Sequence, residues 1–206
     1  MKSIRVYLSG SIQKGNEDAT KKSVWTSADI DILQKVLADT MNLSLMNPAS
    51  RSDDLSDQKS VLGRDLLQVY TSDLVLVDAR DRKGIGIGAE MLFAKNYGVP
   101  VISVAPPNSQ YRKENMDYMG QFLESWTHPF IEGLSDYVAD SVNDAALFIR
   151  DKYPFGEDLI KNKSIFHDAI RHYIATQFER DTEMYDIVTQ DNELFNRIER
   201  VKNGDD

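Results

Sequence analysis

An α/β domain with a parallel sheet is the fold class this sequence predicts, on three observations. Short apolar runs alternate with longer stretches of helical periodicity, the order expected when each strand is followed by a crossover helix. The runs around Ile4-Arg5-Val6-Tyr7-Leu8 and Leu74-Val75-Leu76-Val77-Asp78 are mostly apolar, as strands covered on both faces require. Glycine-bearing loops follow both runs, at the edge where such sheets gather ligands.

Taken in order, Ile4-Arg5-Val6-Tyr7-Leu8-Ser9-Gly10 reads as the first strand and ends in a Gly/Ser/Lys-rich loop reaching Asn16. Residues from near Asp18 to Thr40 read as helical, with Ile30, Leu33, Val36 and Leu37 on one face. Leu43-Ser44-Leu45-Met46 is the second strand, stopped by Asn47-Pro48, and residues 50–57 read as an exposed loop. A helix running through Tyr70 leads into the third strand at residues 74–78. A further helix opens at Glu90 and is ended by Gly98. Val99-Pro100-Val101-Ile102-Ser103-Val104 supplies the fourth strand and Tyr137-Val138-Ala139 a short fifth, followed by a helix from Val142 to Lys152. Right-handed crossovers make this a flavodoxin-like, doubly wound parallel sheet of about five strands. Beyond Tyr153-Pro154-Phe155-Gly156 the texture changes. Ile165, Phe166, Ala169, Ile170, Tyr173 and Ile174 form one helical stripe, and Ile187, Val188, Leu194, Phe195 and Ile198 suggest another helix. The expected organisation is therefore a domain over 1–154 and a helical appendage over 155–206.

Composition narrows the partners. Hydrophobic content of 41% and charged content of 28% suit a globular chain. A net charge of −9 argues against a nucleic acid polymer or an anionic membrane, though local donors can still hold a small anion. Without cysteine there is no disulfide, thiolate nucleophile or Cys-based metal site. Met1-Lys2-Ser3-Ile4-Arg5 runs directly into a strand-like segment with no long apolar h-region, and no run reaches membrane-spanning length. A cytoplasmic location is expected.

The chemistry-bearing segment is Gly84-Ile85-Gly86-Ile87-Gly88-Ala89-Glu90, directly after the third strand. Gly84, Gly86 and Gly88 let backbone and ligand approach closely, and helix entry there offers free N–H groups. Glu90, an acid just past these glycines, is the first candidate for catalysis. The run also satisfies G-x-G-x-x-A, but the dinucleotide fingerprint belongs after the first strand, with an acid some 20 residues later. Here it follows the third strand, and residues 101–104 hold no acid. The plainer alternative is a helix start with a favourable Glu in its first turn. Likewise, Asp65 alone reads as solvated surface, Tyr7 as core, and Asp73 as a cap or turn residue. Arg80-Asp81-Arg82-Lys83 reads as a solvated loop. His128, His167 and His172 do not gather with carboxylates at ligand spacing, so no metal site is assigned.

Three segments in order change the weight of these residues. Tyr7-Leu8-Ser9-Gly10-Ser11-Ile12-Gln13-Lys14-Gly15-Asn16-Glu17-Asp18, Asp65 eight residues before Asp73, and the Gly84–Glu90 turn together resemble the nucleoside 2-deoxyribosyltransferase superfamily. The first loop is most similar to the branch of 2'-deoxynucleoside 5'-monophosphate N-glycosidases. The resemblance covers residues 4–105 and leaves the appendage outside. It implies that Glu90 is the nucleophile and that Asp65 contacts the base and assists proton transfer to it. It places Tyr7 beside sugar and base, and Gly10, Ser11 and Ile12 in the loop that encloses the ligand. It matches Asn115 to the residue that a neighbouring subunit lends to the 5' end of the sugar. Two departures touch the phosphate: Gln13 stands where that branch has Arg, and Gly84 where it has Ser. Lys14, Ser11 or the amides around Gly86 could compensate. The transferase branch has an acid at the Gly84 position, which Asp78 or Asp81 could replace.

The implied chemistry is cleavage of an N-glycosidic bond through an oxocarbenium-like transition state, with an ionised carboxylate attacking C1'. Asp65 would need a raised pKa, or a proton shared with the base, to act as acid near neutrality. Water resolving the intermediate gives hydrolysis, and a second nucleobase gives deoxyribosyl transfer. A non-catalytic nucleotide-binding or sensing module is the competing class. No metal or redox cofactor is called for. The expected partners are a small nucleoside or nucleotide and further copies of the chain, in a homodimer or larger even homo-oligomer.

Overall fold

The structure is a computed structural model that describes residues 1–11, 25–81 and 84–204. It divides into two compact units, Met1–Asn162 and Lys163–Asp206. The first contains strands β1 (Lys2–Ser9), β2 (Met41–Met46), β3 (Leu74–Asp78), β4 (Val101–Val104), β5 (Arg112–Tyr118), β6 (Gln121–Thr127) and β7 (Tyr137–Ala139). Its helices are α1 (Ser27–Leu37), α2 (Gln58–Thr71), α3 (Ile85–Asn96), α4 (Pro129–Leu134) and α5 (Val142–Lys152). The sheet order is β2-β1-β3-β4-β7, with every pairing parallel. This is the doubly wound, flavodoxin-like arrangement that the alternation of strands and helices predicts.

Alternate strand residues point to opposite faces, so each strand contributes to two layers. Ile4, Val6 and Leu8 of β1 join Leu74, Leu76, Ile102 and Val104 in a buried cluster with Leu33 and Leu37 of α1 and Ala145, Ala146 and Ile149 of α5. Tyr7 and Ser9 lie on the other face, which α3 covers. Burying a large aliphatic side chain contributes about 1.5–3 kcal/mol, so each of these core residues is a sizeable stabilising contribution.

Local signals set the helix starts. Thr26 and Asp29 form a reciprocal capping box that begins α1 at Ser27, eight or so positions later than the periodicity suggested. Residues 12–24, including most of the first loop and the expected helix start, lie outside the described residues. Helix α3 begins at Ile85, not Glu90, with Gly84 in extended conformation at its N-cap. The glycines are therefore the first turns of a helix, and Glu90 sits in its second turn. β4 starts at Val101, because Pro100 has no N–H for the ladder; its carbonyl accepts from Val75 N at 2.9 Å.

The sequence reading assigned nothing to the antiparallel hairpin β5–β6 or to α4. The hairpin turns at Met119-Gly120, both at positive φ (50° and 80°). That geometry favours Asn-Gly, and a Met at its first position hides the signal. The second unit holds α6 (Ser164–Thr176), α7 (Thr182–Thr189) and α8 (Asn192–Asn203). The second expected helix is thus two, because Asp191 caps α8 through the N–H groups of Glu193 and Leu194. Among the described residues no helix is long and apolar enough to cross a membrane.

Candidate active site

Helix α3 leaves the carboxyl edge of β3, and its residues divide by face. Positions four apart share a face, so Gly86 sits above Glu90 while Gly84 and Gly88 sit on a neighbouring face, with Ile87 between. An added Cβ at Gly84, Gly86 or Gly88 would meet nothing within 4 Å. The bare backbone leaves open space on both flanks of the helix start. Among the described residues no side chain caps α3, so its first N–H groups face the pocket side without a described side-chain acceptor.

Glu90 faces β1. Tyr7 Oη donates to its Oε1 at 2.8 Å and Ser9 Oγ to its Oε2 at 2.5 Å. One donor on each oxygen fixes the carboxylate plane and leaves further lone pairs toward the pocket. Tyr7 and Ser9 are two apart on one strand, which puts both hydroxyls on the same face. Burial pushes the Glu90 carboxyl above its ordinary value, the two hydroxyl donors work against that, and the charge of Asp65 adds to it. Burial, then the neighbouring Glu90 charge, raises the Tyr7 phenol, keeping it a donor. Ser9 is buried and was not singled out in the sequence; the two-residue repeat from Tyr7 was the available signal.

A pocket of about 250 Å³ opens over Glu90. Gly10 and Ser11 form one wall, Gly84, Gly86 and Ile87 another, and Asp65 of α2 a third. The structure therefore brings together Glu90, Asp65, Gly10, Ser11, Gly84 and Gly86, with Tyr7 directly beneath Glu90. Two expected site residues stand elsewhere, and a third cannot be placed. Ile12 lies outside the described residues. Gly88, two positions from Gly86 and so on the other side of α3, lines a second pocket. Asn115 is exposed on β5 of the hairpin and lines neither pocket of its own chain.

Asp65 has partners that sequence reasoning missed. Arg51 Nη1 lies 3.4 Å and Arg64 Nη1 3.3 Å from its Oδ1. Arg51 also grips Asp53 at 2.6 Å, and that bond holds the Asp53 carboxyl down at about 2. Arg64 Nη2 donates to the Ser50 carbonyl at 2.7 Å. The segment read as an exposed loop is mostly exposed, and Arg51 and Arg64 tie it to α2, with Asp65 at the junction. Only Arg64, one residue before Asp65, carried a local hint.

Asp78 and Asp81 do not join Glu90's pocket. Asp78 is buried at the end of β3, accepts from Arg80 Nε at 2.9 Å, and borders the second pocket, while Asp81 is exposed. Arg80 also reaches Asp29 Oδ1 at 3.0 Å and stacks over Trp25, so this arginine ties β3 to the start of α1. Asp73 lies at the opposite, amino edge, paired with Arg5 through Nε at 3.0 Å and Nη2 at 2.9 Å. No group of three or more His, Asp or Glu placed to hold a metal ion occurs among the described residues.

No protein-family model matches the chain, and no curated protein matches it. Among solved structures it is similar to a 2-deoxyribosyltransferase from Bacillus psychrosaccharolyticus, at 14% identity and a TM-score of 0.42, over 69% of this chain and 90% of that one. It is also similar to FerB, a flavoenzyme NAD(P)H:(acceptor) oxidoreductase from Paracoccus denitrificans, at 17% identity and a TM-score of 0.27, over 52% and 61%. Likenesses this distant leave the chemistry to be argued from the geometry around Glu90.

Proposed function

We propose that the chain cleaves the N-glycosidic bond of a 2'-deoxynucleoside 5'-monophosphate, in the cytoplasm, with Glu90 as nucleophile. The observation that carries this reading is the Glu90 carboxylate itself: oriented by Tyr7 and Ser9, it opens into a pocket with Asp65 on another wall. The first compact unit supplies all of these residues.

In the ionised state a Glu90 oxygen attacks C1' of the sugar. The C1'–N bond breaks, its electron pair leaves with the base, and a glycosyl-enzyme ester forms. Asp65 bonds to an N–H or shared proton on the departing base. Water then attacks C1' as its proton passes by way of Asp65 to the departed base, and the C1'–O bond to Glu90 breaks, which frees the sugar and restores the carboxylate. A 2-deoxy sugar suits this route, since it lacks the electron-withdrawing hydroxyl that destabilises the cation. The 5'-phosphate is read by the uncapped N–H groups at the start of α3 together with Ser11, in place of the missing Arg and Ser.

A homodimer or larger even assembly belongs to the same reading. Exposed Leu62, Leu67 and Tyr70 on α2, Leu92 on α3 and Tyr97 at its C-cap support it, with the Tyr70 and Tyr97 rings 5.1 Å apart. In such an assembly the hairpin would bring Asn115 to a neighbour's site.

The test is chromatographic. Purified protein is incubated with deoxynucleosides and their 5'-monophosphates, with and without a second free base. Free base from monophosphates alone is the expected result. A new nucleoside formed only with added base would replace hydrolysis by deoxyribosyl transfer. Binding and thermal stabilisation without any product would overturn the enzymatic reading in favour of a sensing module.

A further inference from the structure

On the other flank of α3 lies a second pocket, of about 210 Å³. The ends of β3, the bare side of α3 at Gly84 and Gly88, and the feet of the β5–β6 hairpin enclose it. Tyr111 precedes β5 and His128 follows β6, and the bond from His128 N to the Tyr111 carbonyl at 2.8 Å holds those feet together. Their rings stand edge to face at 5.3 Å, and the His128 and Phe130 rings lie 6.0 Å apart. Met91 and Ile131, both buried, supply the apolar floor.

Two features point to a ligand. Ile85 and Phe130 line this pocket yet are 96% and 67% exposed, so two large apolar side chains flank a cavity that could cover them. And the lining carries specific polar groups: beside the Asp78 carboxylate, which Arg80 holds, His128 Nδ1 accepts from Phe130 N at 3.3 Å, which leaves Nε2 as the protonated nitrogen of the neutral ring, a donor for a ring nitrogen or carbonyl. At about 210 Å³ the cavity is smaller than the roughly 300–1,000 Å³ typical of a drug-sized site, a volume that suits one or two fused rings. Aromatic walls favour a planar occupant through edge and stacking contacts.

We infer that the cavity between α3 and the hairpin feet is a second binding site, for a planar uncharged aromatic heterocycle held by Tyr111, His128 and Phe130. It shares the Gly84 and Ile87 walls with the Glu90 pocket but uses none of the Glu90, Tyr7 or Asp65 side chains. The site goes beyond the glycosidase reading and does not depend on it.

The experiment is amide chemical-shift mapping of the full chain, with free adenine as probe and cyclohexanol as an aliphatic control. Adenine is expected to shift the amides of Ile85, Gly88, His128 and Phe130, and cyclohexanol to leave them largely unmoved. Gly88→Leu places a side chain in the open space and should abolish those shifts while the protein still melts cooperatively. Phe130→Ala, an exposed change that removes one wall, should weaken them. Shifts confined to Gly10, Ser11 and Asp65 would overturn the site while leaving the reading of Glu90 untouched. Equal shifts from cyclohexanol, or adenine shifts unchanged in both variants, would overturn it as well.

Discussion

The two ends of α3 each hold a buried or half-buried charge, and they are treated differently. At the C-terminal end Lys95 is 0% exposed and its ammonium meets Asp136. Asp136 is itself saturated: the N–H of Val101 and that of Lys161 each donate to it at 2.6 Å. Burial pulls the Lys95 pKa down and the Asp136 charge opposes it. At the other end Glu90 is matched by two neutral hydroxyls, faces the like charge of Asp65, and borders open space. The same forces act at both ends. One end neutralises its charge and locks α3 to the starts of β4 and β7, whereas the other keeps a reactive group oriented but uncompensated. Charge satisfied by charge is architecture, and charge held by neutral donors beside a pocket is available for chemistry.

The largest effect should come from Glu90→Ala. Turnover is expected to fall by about ten-thousand-fold, on the order of 5 kcal/mol of barrier, a loss far larger than the change in stability from leaving the Tyr7 and Ser9 hydroxyls without their acceptor. Near-normal kcat in steady-state assays would erase the distinction between the two ends. Asp136→Ala should do the reverse, costing about 3–5 kcal/mol in urea unfolding because Lys95 is left buried and unpaired. If it unfolds like the unmodified chain, the pair is not what anchors α3.

Asp65→Asn sharpens the picture on the pocket side. The loss in kcat/KM should be smaller with a good leaving group than with a natural nucleoside, since only the latter needs help at the base. Equal losses on both substrates would reduce Asp65 to a positioning role.

The pH response gives a finer test. With its carboxyl raised in the folded state, Glu90 binds a proton more tightly folded than unfolded. Its contribution to stability is full below the unfolded carboxylate value and is lost as pH rises through the raised folded value. Activity should climb over that same interval, because the nucleophile must be ionised. Stability and rate are therefore expected to move in opposite directions, and Glu90→Gln should flatten the stability curve when melting is followed against pH. The smallest change belongs to Ser9→Ala: about 1 kcal/mol from one lost hydrogen bond, read as an upward shift in the rising limb of the rate profile. An unmoved limb would mean that Tyr7 alone orients the carboxylate.

Much of the fold was legible because the parallel strands announce themselves as apolar runs, and right-handed crossovers make a doubly wound sheet the default. The hairpin was not, since its strands are polar and exposed and its turn uses Met119 where Asn would signal it. At the candidate site, Glu90 was singled out by its place just past the glycines, and Asp65, Tyr7 and Gly10 by the resemblance of the three segments. Ser9 and Arg51 were not: a serine in a strand and an arginine in a polar loop look ordinary until a partner 81 or 14 residues away is brought to them.

By itself, then, the sequence determined the α/β class, the parallel strands and the place of Glu90 after the glycines, because periodicity and local spacing are written in neighbouring residues; Asp65 entered through the resemblance. Only the tertiary structure decided that Gly86 and Gly88 serve different pockets and that two hydroxyls hold Glu90. It likewise decided that Lys95 finds Asp136 across 41 positions. Those outcomes depend on which helix face meets which strand, and that is settled by packing.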